Sequence, residues 1–219
     1  MRALDLTTLL AIVDLSSSIV FAVTGALVAS RKQMDIVGFM WLGVVTGIGG
    51  GTLRDLLLGV PVFWVRDSTP LIACLLASVA VYFTAHLLDS RYRLLLWLDA
   101  IGLALVTVAG AAKGLDAGVG PMVAVVMGVL TAAAGGIIRD ILGQEPSVIL
   151  RREIYVTASV LGAVAYMGFA GLGAERATAA VAGATVALTI RGLAIFRGWS
   201  LPTYRPRPGR TADELTRLK

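Results

Sequence analysis

The chain has 219 residues, of which 57% are apolar and only 15% are charged, and its mean hydropathy is +0.84. This composition excludes a water-soluble enzyme and indicates an integral membrane protein. The net charge of +5 lies in loops and in the C-terminal tail, and aromatic residues are few, so we expect no nucleic-acid partner. One cysteine, Cys74, and one histidine, His86, cannot form a disulfide or a metal cluster, so we expect no metal site and no cofactor.

Seven apolar runs are long enough to cross a membrane, which takes about 20 apolar residues. They predict helices over 6–30, 35–58, 68–90, 93–113, 119–143, 153–173 and 176–197. Lysine and arginine are concentrated in alternate connections and in the C-terminal tail. The positive-inside rule therefore predicts an N-terminus outside the cell and a cytoplasmic C-terminus.

An internal repeat relates the first three spans to the next three. The segment GGGTLRD at 49–55 matches AGGIIRD at 134–140, and Asp14 matches Asp99 at the same offset of 85 residues (99 − 14 = 85). Because each copy holds three spans, the second copy must enter the membrane from the opposite side. We expect an all-α polytopic membrane protein built from two inverted repeats and a seventh helix. Its predicted units are a first repeat over 1–90, a second over 91–173, a seventh helix over 174–198 and a basic cytoplasmic tail over 199–219.

Glycines at matching positions of spans two and five are the first candidates for a permeation path. Glycine weakens a helix by about 1 kcal/mol relative to alanine, so a bend or break there would turn backbone carbonyls toward an ion. Close packing through a stripe of small residues is the other role, and both stay open. We expect Gly25 and Gly110, on spans one and four, to be packing positions. The candidates are Gly49, Gly50 and Gly51 in span two and Gly135 and Gly136 in span five.

Polar side chains of the same repeats complete the candidate site. Hydroxyls that could coordinate a dehydrated cation come from Ser16, Ser17, Ser18, Thr24, Thr46 and Thr131, although such residues more often bond the preceding helical turn. We expect buried Asp–Arg pairs to tie helices together, a role compatible with a charge barrier at each mouth of a pore. Lys113 could be a gating charge, but a lysine that extends to the membrane interface is the commoner explanation. The charged candidates are Asp14, Arg54 and Asp55 in the first repeat and Asp99, Arg139 and Asp140 in the second.

The duplicated Gly-Gly-x-x-Arg-Asp motif, seen as GGGTLRD and AGGIIRD in the second span of each repeat, resembles bacterial and archaeal members of the trimeric intracellular cation (TRIC) channel family. The resemblance covers residues 6–197. It implies a homotrimer surrounded by lipids of the bacterial inner membrane, with a potassium-permeable pore in each subunit lined by kinked second and fifth helices. It also implies K⁺ or Na⁺ as permeant ions and no enzymatic activity. Ala134 stands where the first repeat has Gly49, so the second kink is expected to be less open.

Two other functions stay open beside the expected channel. Related bacterial sequences are also labelled as glycine transporters, and inverted, glycine-interrupted helices suit a secondary transporter that binds the carboxylate of a zwitterion at a helix N-terminus. A purely structural membrane subunit would explain the small-residue stripes but not the duplicated charges. Flux separates the first two, because a channel gives unitary currents whereas a transporter saturates and exchanges its substrate.

Overall fold

A computed structural model describes residues 6–88, 90–146, 154–202 and 209, and its regular structure is helical. Among the described residues, six helical segments are long and apolar enough to cross a membrane, and the one remaining predicted span is a shorter apolar helix of 16 residues. The expected all-helical polytopic architecture is therefore confirmed. The helices are α1 (Leu6–Arg31), α2 (Ile36–Leu57), the short α3 (Phe63–Arg66), α4 (Thr69–Thr84, extended by a 3₁₀ turn over Ala85–Leu87), α5 (Arg91–Asp116), α6 (Pro121–Leu142), α7 (Val156–Gly171) and α8 (Arg176–Arg197).

The predicted spans correspond to α1, α2, α4, α5, α6, α7 and α8 in order. The sixth, predicted over 153–173, is the short one, because α7 starts at Val156. Of the predicted tail, only residues 199–202 and 209 are described.

The helix ends follow ordinary capping chemistry. The Asp35 side chain accepts a hydrogen bond from the Gly38 amide at 2.8 Å, which satisfies one free N–H at the start of α2. Pro121 opens α6, where its missing N–H costs nothing. The C-terminus of α8 is capped by Gly198, whose φ of 65° lies in the left-handed region that favours glycine. The membrane helices are thus bounded by signals that are visible in the sequence.

Helix packing follows the repeat. The helix α1 packs on α2 and α4, and the matching helix α5 packs on α6 and α7 and also on α8. The two halves meet through α1 against α5 and α2 against α6. A Cβ on Gly25 would lie 2.7 Å from the Thr46 hydroxyl oxygen, and a Cβ on Gly110 would lie 2.8 Å from that of Thr131. The four residues are related in pairs by the 85-residue offset, so the same close contact holds each half together. Gly25 and Gly110 are packing positions, as expected.

Candidate functional site

The centre of the site is the crossing of α2 and α6, where two glycines remove the side chains between the helices. A Cβ on Gly50 would overlap the carbonyl oxygen of Thr131, and a Cβ on Gly135 would lie 2.7 Å from the carbonyl oxygen of Thr46. Since 50 + 85 = 135 and 46 + 85 = 131, this is one contact made twice, once from each half. The two helix backbones touch here, which only glycine allows.

Both helices continue through their glycine clusters without a break. Of the two roles left open from the sequence, close packing is the one that these contacts show. The expected break that would release carbonyls from the helical ladder is absent from α2 and from α6. The flanking glycines face side chains instead: a Cβ on Gly49 would lie 3.0 Å from Ile138, and one on Gly51 would lie 2.6 Å from the ring of Phe63.

A narrow cavity of about 10 Å³ lies beside the crossing, lined by residues of α1, α2 and α6. That volume is close to the smallest that can hold one water molecule, about 10–15 Å³. Thr46 and Thr131 line the cavity, as do Ser17 and Ser18. Of the three consecutive serines predicted from the sequence, Ser16 is not among the lining residues, and its hydroxyl donates to the Ile12 carbonyl at 2.5 Å.

The hydroxyl groups of the cavity present oxygen lone pairs rather than hydrogens. Ser17, Ser18, Thr46 and Thr131 each donate the hydroxyl hydrogen to a carbonyl three or four residues earlier, at distances of 2.5 to 3.0 Å. A hydroxyl has one hydrogen and two acceptor lone pairs, so the lone pairs are left for whatever enters the cavity. A lining of this kind favours a cation or a water molecule over an anion.

The first charged cluster joins α1, α2 and α5. Arg54 is 1% exposed and donates to both carboxylate oxygens of Asp14 at 2.9 and 3.2 Å and to Asp55 at 2.8 Å. Asp55 also pairs with Lys113 at 2.9 Å and accepts a hydrogen bond from the Phe63 amide at 2.9 Å. The Lys113 ammonium group is therefore held by a fully buried carboxylate, a contact that the interpretation of an interfacial lysine does not include.

The second charged cluster repeats the central pair of the first. Arg139 is fully buried and donates to Asp99 at 2.7 Å, to Asp140 at 3.0 Å and to the Thr24 hydroxyl at 3.1 Å. The expectation that Asp14 pairs with Arg54, and Asp99 with Arg139, is confirmed by these contacts. Buried charges of this kind are costly to separate, because removing one partner leaves the other uncompensated.

A cleft of about 660 Å³ opens next to the first cluster. Its lining includes Arg66, Lys113 and Asp116 as well as apolar residues of α1 and of the α2–α4 connection. Asp14 and Phe63 line both this cleft and the narrow cavity. The Asp14–Arg54 ion pair therefore lies where the wide space meets the narrow one.

Several residues of the site were not identified from the sequence. Phe63, Tyr155 and Arg191 are not among the predicted site residues. Arg191 on α8 is 1% exposed, and its guanidinium carbon lies 5.3 Å from the centre of the Tyr155 ring. The sequence feature that could have identified Arg191 is a lone arginine inside an apolar span, because such an arginine usually faces protein rather than lipid.

Apolar helices duplicated at a fixed offset, with two buried Arg–Asp clusters beside a glycine crossing, define an internally duplicated polytopic membrane protein. The family model described as Glycine transporter matches the chain twice, over residues 11–86 and 96–171. The two matches are again 85 residues apart (96 − 11 = 85). With the relatives and structures below, this shows that the chain belongs to the trimeric intracellular cation channel family.

Relatives of known sequence and structure span nearly the same length. The chain is 43% identical over 200 residues to the UPF0126 inner membrane protein YadS of Escherichia coli K12, covering 87% of this chain and 94% of that protein. It is similar to the solved TRIC channel orthologue from Rhodobacter sphaeroides, with a TM-score of 0.85, 52% identity, and coverage of 88% of this chain and 100% of that one. A solved prokaryotic TRIC channel in 0.5 M KCl gives a TM-score of 0.83 at 26% identity, over 90% and 100% of the two chains.

Proposed function

We propose that this chain forms a homotrimeric, potassium-permeable channel for monovalent cations in the bacterial inner membrane, with one pore in each subunit and no enzymatic activity. The observation that carries the proposal is the narrow cavity at the α2–α6 crossing, which is lined by hydroxyl oxygens whose hydrogens are already used. The hydroxyl oxygens replace part of the hydration shell of a cation, while the Arg54 guanidinium in the same lining is bound by Asp14 and Asp55. The similar structures described as TRIC cation channels support the same function.

The two halves have opposite orientations in this proposal, with the N-terminus outside and the C-terminus in the cytoplasm. The reciprocal contact of Gly50 with Thr131 and of Gly135 with Thr46 supports two copies related by a pseudo-two-fold axis, and the three spans in each copy make the second copy inverted. The Asp14–Arg54 pair then lies toward the outside and Asp99–Arg139 toward the cytoplasm. The units are those predicted from the sequence, over 1–90, 91–173, 174–198 and 199–219.

A permeating ion enters through the wide cleft and reaches Asp14 before the narrow cavity. The carboxylate attracts the cation, while the bound guanidinium of Arg54 limits how strongly it is held. A cavity of about 10 Å³ admits no hydrated ion, so conduction requires α2 and α6 to separate or the Asp14–Arg54 pair to swing aside. The glycines at the crossing permit that movement, because no side chains interlock there.

Single-channel recording tests the proposal. Purified protein in a planar bilayer under a potassium chloride gradient should give unitary currents that reverse near the potassium equilibrium potential. Chloride should contribute little to that reversal potential. A protein that inserts in the bilayer without unitary currents contradicts the channel function.

A zwitterion transporter is the second candidate, because the matching family model is described as Glycine transporter. Proteoliposomes loaded with unlabelled glycine should then take up labelled glycine by exchange, with saturation at high concentration. The channel predicts no such exchange. Asp14→Asn is a useful variant for both assays, because its carboxylate lines both cavities.

A further inference from the structure

A glycine, an aromatic ring and a basic side chain lie together at the first Arg–Asp cluster. Gly51 faces Phe63, whose ring is 2.6 Å from where a Cβ would be. The ring centre lies 5.8 Å from the Lys113 ammonium nitrogen and 5.8 Å from the guanidinium carbon of Arg54. An aromatic face attracts cations at this range. The ring therefore fills the space left by the glycine and holds the cations of the cluster.

The same three kinds of group lie together at the second cluster. Gly136, which matches Gly51 (51 + 85 = 136), faces the Tyr155 hydroxyl, 3.4 Å from where a Cβ would be. The same Cβ position is 3.6 Å from Arg139 Nη2 and 3.7 Å from Asp99 Oδ1. The Tyr155 hydroxyl and the Asp99–Arg139 ion pair therefore surround the space beside Gly136. Arg191 lies over the Tyr155 ring, with 5.3 Å between the guanidinium carbon and the ring centre.

The internal repeat does not explain this similarity. Adding 85 to Phe63 gives position 148 rather than 155, and subtracting 85 from Lys113 gives Val28, an apolar residue. The basic side chain of the second cluster comes instead from α8, the helix that follows both repeats. Two pairs of residues that the repeat does not relate, Phe63 with Lys113 and Tyr155 with Arg191, thus form the same arrangement at the two matched glycines. Two independent solutions of one geometry indicate that the geometry itself is required.

We propose that Tyr155 and Arg191 are positioning residues for the Asp99–Arg139 ion pair, and that α8 supplies in the second half what Lys113 supplies in the first. This inference rests on the proposed channel function. The Arg191 guanidinium holds the Tyr155 ring by lying over its face. Its Nη1 also donates to the carbonyl of Ile154, the residue before Tyr155, at 3.5 Å. In this proposal the single hydrogen of the Tyr155 hydroxyl goes to the Asp99 carboxylate and holds it against Arg139, and the Ala132 carbonyl, 3.3 Å from the hydroxyl oxygen, is the competing acceptor.

The consequence for permeation is electrostatic. If Asp99 turns away, the positive charge of Arg139 is less well neutralised, and in a low-dielectric site even a small displacement changes the local potential. The barrier for cations rises at that end of the pore only. Loss of the pair therefore produces a rectifying channel rather than one that is uniformly weakened.

Substitution of the two residues tests the inference in the full-length protein. Arg191→Met and Tyr155→Phe should each lower the unitary potassium current at one polarity roughly threefold to tenfold, with little change at the other. Tyr155→Phe keeps the ring under Arg191 and removes only the hydroxyl, so it should preserve folding. Arg191→Lys retains a cation over the ring and should restore most of the current. In the double variant the two effects should not add, because both residues act through Asp99.

Other outcomes overturn the inference in identifiable ways. A normal current–voltage relation in Tyr155→Phe, or additive effects in the double variant, would show that Arg191 acts only in folding. An equal loss of unitary current at both polarities would also show that Arg191 acts only in folding. The Lys113→Met variant is the matched control, because its rectification should have the opposite sign.

Thermal unfolding of the same variants separates this inference from the channel proposal. If the wild type gives no current, the channel function fails. A double-mutant cycle between Tyr155→Phe and Asp99→Asn then still measures whether the hydroxyl is coupled to the carboxylate. Independent effects in that cycle refute the positioning role whatever the protein transports.

Discussion

Replacing Gly50 by alanine should destabilise the protein, although alanine is the better helix former. The new methyl group would overlap the Thr131 carbonyl oxygen, and a backbone atom can yield only if α2 and α6 move apart. Overpacking of this kind costs up to about 3 kcal/mol, and the gain in helix propensity returns about 1 kcal/mol. The net loss of about 2 kcal/mol corresponds to a midpoint of thermal unfolding about 4–8 °C lower for a chain of this size.

The measurement is thermal unfolding in detergent, followed by circular dichroism, with Gly168→Ala as the matched control. Gly168 lies in α7 and has no atoms within 4 Å of where a Cβ would be, so alanine there should raise the midpoint by about 2–4 °C. Gly135→Ala should behave like Gly50→Ala, because it makes the reciprocal contact. A Gly50→Ala protein as stable as the Gly168→Ala protein would refute backbone contact at the crossing.

Four further outcomes are expected. Arg54→Met should cost about 3–5 kcal/mol and sharply reduce the yield of folded protein, because it leaves the Asp14 carboxylate without its partner and Asp55 with Lys113 as its remaining basic partner, whereas a yield like that of wild type would contradict the buried ion pair. The side-chain and backbone hydrogen bonds from Thr69 lower the pKa of Asp67 below its ordinary value of 3.8. The stabilisation from the Asp67 carboxylate is thus present above pH 3.8 and is lost as the pH falls through the lowered pKa. Thr69→Ala should raise the pKa of Asp67, measured by carboxyl NMR. A reporter fused after Lys219 should be cytoplasmic and a cysteine replacing Leu4 should be labelled from outside, whereas both ends on one side would contradict the inverted halves. Cross-linking in mild detergent should stop at a trimer, and a protein that stays monomeric throughout would contradict the assembly.

The sequence predicted the membrane helices and both Arg–Asp pairs. Helix prediction succeeded because long apolar runs separated by charged or glycine-rich breaks leave few alternatives in a membrane. The ion pairs followed from the offset of 85 residues, since the duplicated arginines and aspartates have few partners other than each other in apolar surroundings. The predicted direction of each span then placed Asp14 at the same depth as Arg54, and Asp99 at the same depth as Arg139.

The role of the glycines was harder to predict, because it depends on what each one faces. Gly50 touches a backbone carbonyl, Gly51 an aromatic ring and Gly49 the flexible end of Ile138, although the three are consecutive. Neighbouring positions on a helix point about 100° apart, and composition does not reveal which neighbour lies in each direction. The Tyr155–Arg191 contact was missed for the same reason, since it joins two segments outside the repeated motif.

The reciprocal contact between Gly50 and Thr131 and between Gly135 and Thr46 has a further consequence, because it is self-complementary. Each half of the chain carries both parts of the contact, a glycine and, four residues earlier, the carbonyl oxygen on which the other glycine rests. A surface of that kind is isologous, like the interface of a two-fold symmetric dimer. A polypeptide containing only one half would therefore hold both parts of this contact and could bind a second copy of itself about a two-fold axis.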